Sequence, residues 1–158
     1  ALGRQTNFNN RNLGISYERT GQVELAENAL QKALQLNPDD SLTLNYIGYW
    51  WVDENRRIEE AFELIKKAVH LQPTSGYFAD SLGWAYFRQD NFDSAVLWLE
   101  KAIQLAPTDP VIADHLGDAY WKVGRFLEAR YKWQQALDMG IEEKYATIIA
   151  EKMLDGLE

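Results

Sequence analysis

An apolar residue followed by a glycine returns along this chain at a near-constant interval: Leu13-Gly14, Ile47-Gly48, Leu82-Gly83 and Leu116-Gly117. The glycines are separated by 34, 35 and 34 residues. A period of this length restricts the chain to stacked supersecondary units, because one unit cannot bury its apolar face without a neighbour. Other places keep the same register. An aromatic follows each Gly by three residues, at Tyr17, Trp51, Tyr86 and Tyr120. A small residue comes next, at Ala26, Ala61, Ala95 and Ala129, then a large apolar one four further on, at Leu30, Ile65, Leu99 and Trp133. Three more residues give Ala33, Ala68, Ala102 and Ala136. Pro38, Pro73 and Pro107 close three units, and Met139-Gly140-Ile141 takes that place in the fourth.

Each place has a physical reason. Apolar residues at i, i+3, i+4 and i+7 make a helix stripe. Every unit holds two such stripes with a turn between them, marked in three of the four by Gly21, Asp90 and Gly124. Gly inside a helix costs about 1 kcal/mol relative to Ala. Its recurrence therefore predicts a close approach of two helices, with the small Ala of the second helix facing it. Pro ends the second helix, since the residue before it is pushed out of the helical region. Asp39, Asp40, Thr74, Ser75 and Asp109 follow as N-cap candidates, and Asp109-Pro110 sets a capping acid before Pro at the first helical position. The expected fold is all-α, one domain over 1–158 with units at about 7–40, 41–75, 76–109 and 110–143. Residues 144–154 carry the apolar spacing Tyr145, Ile148, Ile149 and Met153 but no apolar–Gly pair. They read as a capping helix over 144–156 that covers the last exposed face. That position suggests a C-terminus near residue 158, while the absence of an initiator Met and of a signal pattern reads as a piece of a longer protein.

Charge and composition exclude several classes. The net charge is −8, from 24 acids and 16 bases, which argues against a phosphate backbone and an anionic membrane surface. A basic or mixed partner fits better. There is no cysteine, hence no disulfide, thiolate metal site or cysteine nucleophile. The two histidines, His70 and His115, form no converging metal set: Asp114 and Asp118 share one helix face, and His115 points about 100° away. Glu59-Glu60 and Glu142-Glu143 sit early in helices, where acids suit the positive end of the dipole. No catalytic constellation, cofactor or metal is expected.

The four-fold pattern resembles the tetratricopeptide repeat over residues 7–143. Its first aromatic place departs from the family, with Asn10, Leu44, Ala79 and Ala113 where Trp is common. The resemblance implies a right-handed superhelical α-solenoid. It also implies a non-catalytic scaffold or adaptor, whose first helices line a concave groove for a peptide or partner segment. The family's carboxylate clamp is missing: Arg11 fits its first place, but Ile15, Tyr46, Tyr77 and Ser81 replace the other four. Asp-Ser-Leu-Gly-Trp-Ala-Tyr at 80–86 and His-Leu-Gly-Asp-Ala-Tyr-Trp at 115–121 are similar to the C-terminal repeats of large bacterial envelope members. Some of those are lipoprotein adaptors for C-terminal processing proteases, which implies a periplasmic location, with the cytoplasm as the alternative. A regulatory module of a larger enzyme and a self-assembling array are the other readings.

Groove residues follow from register. The places six before, three before, one after and four after each Gly share a face distinct from the packing stripe. They are Phe8, Arg11, Ile15 and Glu18; Leu42, Asn45, Tyr49 and Val52; Tyr77, Asp80, Trp84 and Phe87; Val111, Asp114, Asp118 and Trp121. The partner-binding set drawn from them is Arg11, Asn45, Tyr49, Tyr77, Asp80, Trp84, Phe87, Asp114, Asp118 and Trp121. Its aromatics suit apolar anchors, and Asp80, Asp114 and Asp118 suit a basic residue. Leu97, Leu127 and Tyr131 mark a second surface on the outer helices, where Glu63 and Asn28 hold the equivalent places earlier. Trp50 is the anomaly, because Ser16, Ala85 and Ala119 occupy its equivalents. It is expected to widen the first junction, with the one-residue-longer turn of Asp53–Arg57 accommodating or covering its ring.

Overall fold

The computed structural model describes residues 2–157, with side chains from Thr6 onward. Its helices are α1 (Leu2–Arg19), α2 (Val23–Leu36), α3 (Ser41–Asp53), α4 (Ile58–Leu71), α5 (Gly76–Arg88), α6 (Phe92–Leu105), α7 (Pro110–Lys122), α8 (Phe126–Asp138) and α9 (Glu143–Asp155). Among the described residues there is no strand. Helices pair within units as α1/α2, α3/α4, α5/α6 and α7/α8, and each unit leans on the next. The fold is an all-α solenoid.

The register places fill the core. Both Ala rows are fully buried, as are Leu30, Ile65, Leu99 and Trp133. One detail differs from the sequence reading. The group over each helical Gly is the large apolar side chain, not the small Ala: Leu30 on Gly14, Ile65 on Gly48, Leu99 on Gly83 and Trp133 on Gly117. A Cβ at Gly48 would lie 2.5 Å from Ile65 Cγ1 and 2.9 Å from the Ala61 carbonyl. Helical side chains lean back over the preceding turn, so the residue four after the Ala covers the space that the Ala leaves.

Local chemistry sets the helix ends. Ser75 Oγ accepts from Phe78 N–H, and Asp109 Oδ1 accepts from the N–H groups of Val111 and Ile112. Asp40 stands at the N-cap of α3 but makes no cap bond. Its carboxylate accepts instead from the Arg11 guanidinium and, at 2.5 Å, from the Thr43 hydroxyl. Gly21, Asp90 and Gly124 turn the chain at positive φ. The longer turn uses two residues there, Asn55 at φ 55° and Arg57 at φ 47°.

That turn covers the anomalous indole. Trp50 is buried, and the Arg56 guanidinium lies 5.0 Å from its ring centre, held by Glu54 and Glu27 at 2.8 and 3.4 Å. Arg57 lies 4.0 Å over Trp51. The backbones of α2 and α3 approach each other less than those of α4 and α5 or α6 and α7, and so do those of α8 and α9.

Candidate partner-binding groove

Successive residues on a helix turn by about 100°, so the places six before, three before and one after the Gly fall at about 120°, 60° and 100° from it. These three places line the concave side. Three cavities run along it. One of about 650 Å³ is bounded by Arg11, Ile15, Leu42, Asn45, Tyr46 and Tyr77. A second, about 270 Å³, shares Asn45, Tyr46 and Tyr77 and adds Tyr49, Asp80, Ser81 and Val111. The third, about 220 Å³, shares Tyr49 and Val111 and continues past Trp84, Asp114, His115 and Asp118 to Tyr145, Ile148 and Lys152. Shared walls make one groove from α1 to α9. Its open apolar surface is largest at Leu42 and Tyr77, whose exposures are 52% and 65%.

The fourth place of the predicted stripe does not belong to it. Four residues after the Gly is only about 40° from it, which turns the side chain toward the packed side. Val52 is fully buried. Phe87 stacks on Trp84 at 4.8 Å and meets Phe92 at 5.3 Å. Trp121 packs on Phe126 and Trp133 and is covered by Gly156. Phe87 and Trp121 line none of the three concave cavities, which corrects their assignment as groove residues.

The predicted acidic lining is also corrected, because its carboxylates are buried and paired. Asp80 Oδ1 lies 2.9 Å from His115 Nδ1. Burial alone would lower the His115 pKa, but Asp80, with Asp114 and Asp118, outweighs it and raises the imidazole above its ordinary value. Lys152 of α9 donates to Asp114 at 3.0 Å and to both Asp118 oxygens at 2.8 Å, and Trp133 Nε1 also donates to Asp118 at 2.8 Å. Burial pushes the Asp118 carboxyl up against the opposing pull of Lys152. Burial would lower Lys152, yet Asp118 and Asp114 raise it. Arg11 is likewise committed, to Asp40 at 3.0 Å. Asn45 holds the same repeat place in the second unit, and its Oδ1 is buried without a hydrogen-bond partner.

Register reasoning stopped at the fourth unit and so missed the groove's last wall. Adding the period to Gly117 gives Glu151; six before, three before and one after it are Tyr145, Ile148 and Lys152. The helix α9 therefore presents the same three places as a first helix. Tyr46 and His115, two before the Gly, were missed as lining. At about 160° they flank the groove on its far side. Tyr46 donates its hydroxyl to Glu18 at 2.7 Å, and His115 stacks on Trp84 at 4.2 Å.

On the outer face, Leu97, Leu127 and Tyr131 are exposed by 67%, 84% and 68%. Among the described residues no group of three His, Asp or Glu side chains is placed to hold a metal ion, and no helix is long and apolar enough to cross a membrane.

Comparison with known proteins bears on both fold and family. A family model described as "Tetratricopeptide repeat" matches residues 9–40 and 77–109. TPR repeat-containing protein PA4667 of Pseudomonas aeruginosa is 36% identical over 82 residues, which is 52% of this chain and 14% of that protein. This chain thus spans about a seventh of that relative's length. Among solved structures, Pseudomonas aeruginosa PilF superposes with a TM-score of 0.75 at 20% identity, over 91% of this chain and 65% of PilF. A MamA crystal structure gives a TM-score of 0.70 at 25% identity, over 91% of this chain and 84% of MamA. The structure of the APC/C hetero-tetramer Cut9-Hcn1 gives 0.79 at 20% identity, over 95% of this chain and 30% of that one.

Proposed function

This chain belongs to the tetratricopeptide repeat family, and from that premise we propose that it is a non-catalytic interaction module whose concave groove holds a peptide or partner segment. One observation carries the reading: a continuous groove crosses five helices and leaves Leu42 and Tyr77 open beside the unpaired Asn45 Oδ1. Apolar and aromatic residues exposed in a concavity are anchors for a ligand's side chains. Leu42→Ser with Tyr77→Ser tests it, since both side chains are exposed and surface changes cost about 0.5 kcal/mol or less in stability. Peptides selected on the wild-type chain from a random display library should lose most of their affinity for this double variant. Peptides that bind both proteins equally would move the interaction off the groove.

Within this reading, the wording shared with bacterial envelope repeats makes a C-terminal processing protease the first partner to assay. Co-purification that the same double variant abolishes is the expected result. Equal recovery with the variant would reject groove-mediated docking of that protease.

The outer patch supports a second reading, self-association or contact with the rest of a larger protein. Leu97, Leu127 and Tyr131 are more exposed than large apolar side chains usually are, and they lie on the neighbouring helices α6 and α8. Sedimentation should show concentration-dependent association that Tyr131→Glu reduces. A monomer at every concentration would remove the self-association reading.

A further inference from the structure

The end of the groove between α3, α7 and α9 is built differently from its middle. Its cavity of about 220 Å³ has Tyr49 and Tyr145 as walls and Asp53 at its edge. Behind these lie Asp114 and Asp118, both paired with Lys152, and Asp80, paired with His115. Four carboxylates thus face His115 and Lys152, and the exposed Lys144 ammonium lies 4.4 Å from the Tyr145 ring centre as a third cation. The Tyr49 phenol reports the imbalance: burial first, then Asp80, Asp53, Tyr145 and Asp114, push its pKa well above the ordinary range.

Asp53 is the carboxylate of this cavity that is free to accept from a ligand. It is the last residue of α3, the end at which the helix dipole disfavours an anion. It is exposed and has no ion pair or hydrogen bond among the described residues. The other carboxylates of this cavity each have a cationic or hydrogen-bonding partner. An unpaired acid beside two phenol rings is the arrangement that recognises an organic cation, through ring quadrupoles and a charge-assisted hydrogen bond.

We propose that this cavity is a subsite for the side-chain cation of an arginine or lysine in a partner polypeptide, seated between Tyr49 and Tyr145 with Asp53 as its acceptor. The proposal deepens the groove reading and rests on it. The cation enters at the α9 end while apolar anchors occupy the cavities around Leu42 and Tyr77. This also fixes a polarity: the basic residue of the segment lies toward the chain's C-terminal end.

The test uses three small probes on the isotope-labelled chain: N-acetyl-arginine amide, N-acetyl-lysine amide and the neutral N-acetyl-citrulline amide. A charged probe should shift the amide resonances of Tyr49, Asp53 and Tyr145 and bind at least about tenfold more tightly than the neutral one, the fold-change that about 1.4 kcal/mol of charge recognition gives. Comparing the arginine and lysine probes tells which cation fits. Asp53→Asn should weaken the charged probe by about tenfold while leaving thermal stability unchanged or raised, because it removes an anion from a helix C-terminus. Equal shifts from the citrulline probe, shifts confined to residues outside the cavity, or undiminished binding to Asp53→Asn would each overturn the subsite. These outcomes are separable from failure of the groove. Display-selected peptides that still depend on Leu42 and Tyr77 would leave the groove standing without the subsite. Probe binding with no peptide dependence on Leu42 and Tyr77 would remove the groove reading instead.

Discussion

The first and last junctions of the solenoid are joined from the same repeat place by opposite charges. At the first, Arg11, three residues before its Gly, reaches forward to Asp40 at the N-cap of α3. At the last, Asp114 holds the same place and reaches forward to Lys152 of α9. Between them Asp80 does likewise with His115. A place that reads as a ligand contact in each unit is therefore a staple between units in three of four. Only Asn45, in the second unit, has a buried oxygen left without a partner. The difference in packing is as large as the difference in charge. The first junction buries the Trp50 indole under Arg56, whereas Ala85 and Ala119 are buried at the same place in the third and fourth units. Groove volume follows, about 650 Å³ at the α1 end against about 220 Å³ at the α9 end.

The largest expected effect comes from emptying the first junction of its indole. Trp50→Ala should cost about 3 kcal/mol or more in chemical denaturation, as removal of a buried aromatic usually does. A cost below about 1 kcal/mol would mean that the first junction can close like those with Ala at this place, and the contrast in packing would collapse.

Breaking the last staple should cost somewhat less. Lys152→Met strands two buried carboxylates, a change worth about 3–5 kcal/mol if the structure around them stays shut. Undocking α9 lets water reach Asp114 and Asp118, so the observed loss is capped at the docking energy of that helix, roughly 2 kcal/mol for one fully buried Ile149 and its neighbours. Hydrogen exchange should show protection lost in 143–155 and kept in α3–α6. Arg11→Met should cost less, because Asp40 keeps the Thr43 hydroxyl. Equal costs at the two ends would erase the asymmetry.

The smallest effect depends on pH. The folded His115 pKa is raised, so the stability its charge supplies is fully present below its unfolded value of about 6.5 and is lost as pH rises through the folded value. His115→Gln should therefore destabilise by about 1–2 kcal/mol near pH 5 and by less near pH 8. A penalty that grows with pH would show that the neutral imidazole, not the imidazolium, pairs with Asp80.

The order and ends of the helices were legible in the sequence because their causes are local. Periodicity, the terminating prolines and the caps at Ser75 and Asp109 act within a few residues. The concave placing of Tyr49, Tyr77 and Trp84 follows from the same kind of local cause, a helical angle from a recognisable Gly. Phe87 and Trp121 were misread because their place lies only about 40° from the Gly, near enough to the packed side to take the side chain out of the groove. The fate of the acids was not legible at all. Whether Asp114 meets solvent, a ligand or Lys152 depends on a residue 38 positions away on a helix that lacks the repeat's signature. By itself, the sequence determined that these residues form stacked helix pairs with a concave aromatic face. Tertiary structure alone decided which charges on that face are spent on holding units together and which, like Asp53, are left without a partner. Pairing of buried charges is a contest between desolvation and contacts made across the fold, and no local pattern encodes its outcome.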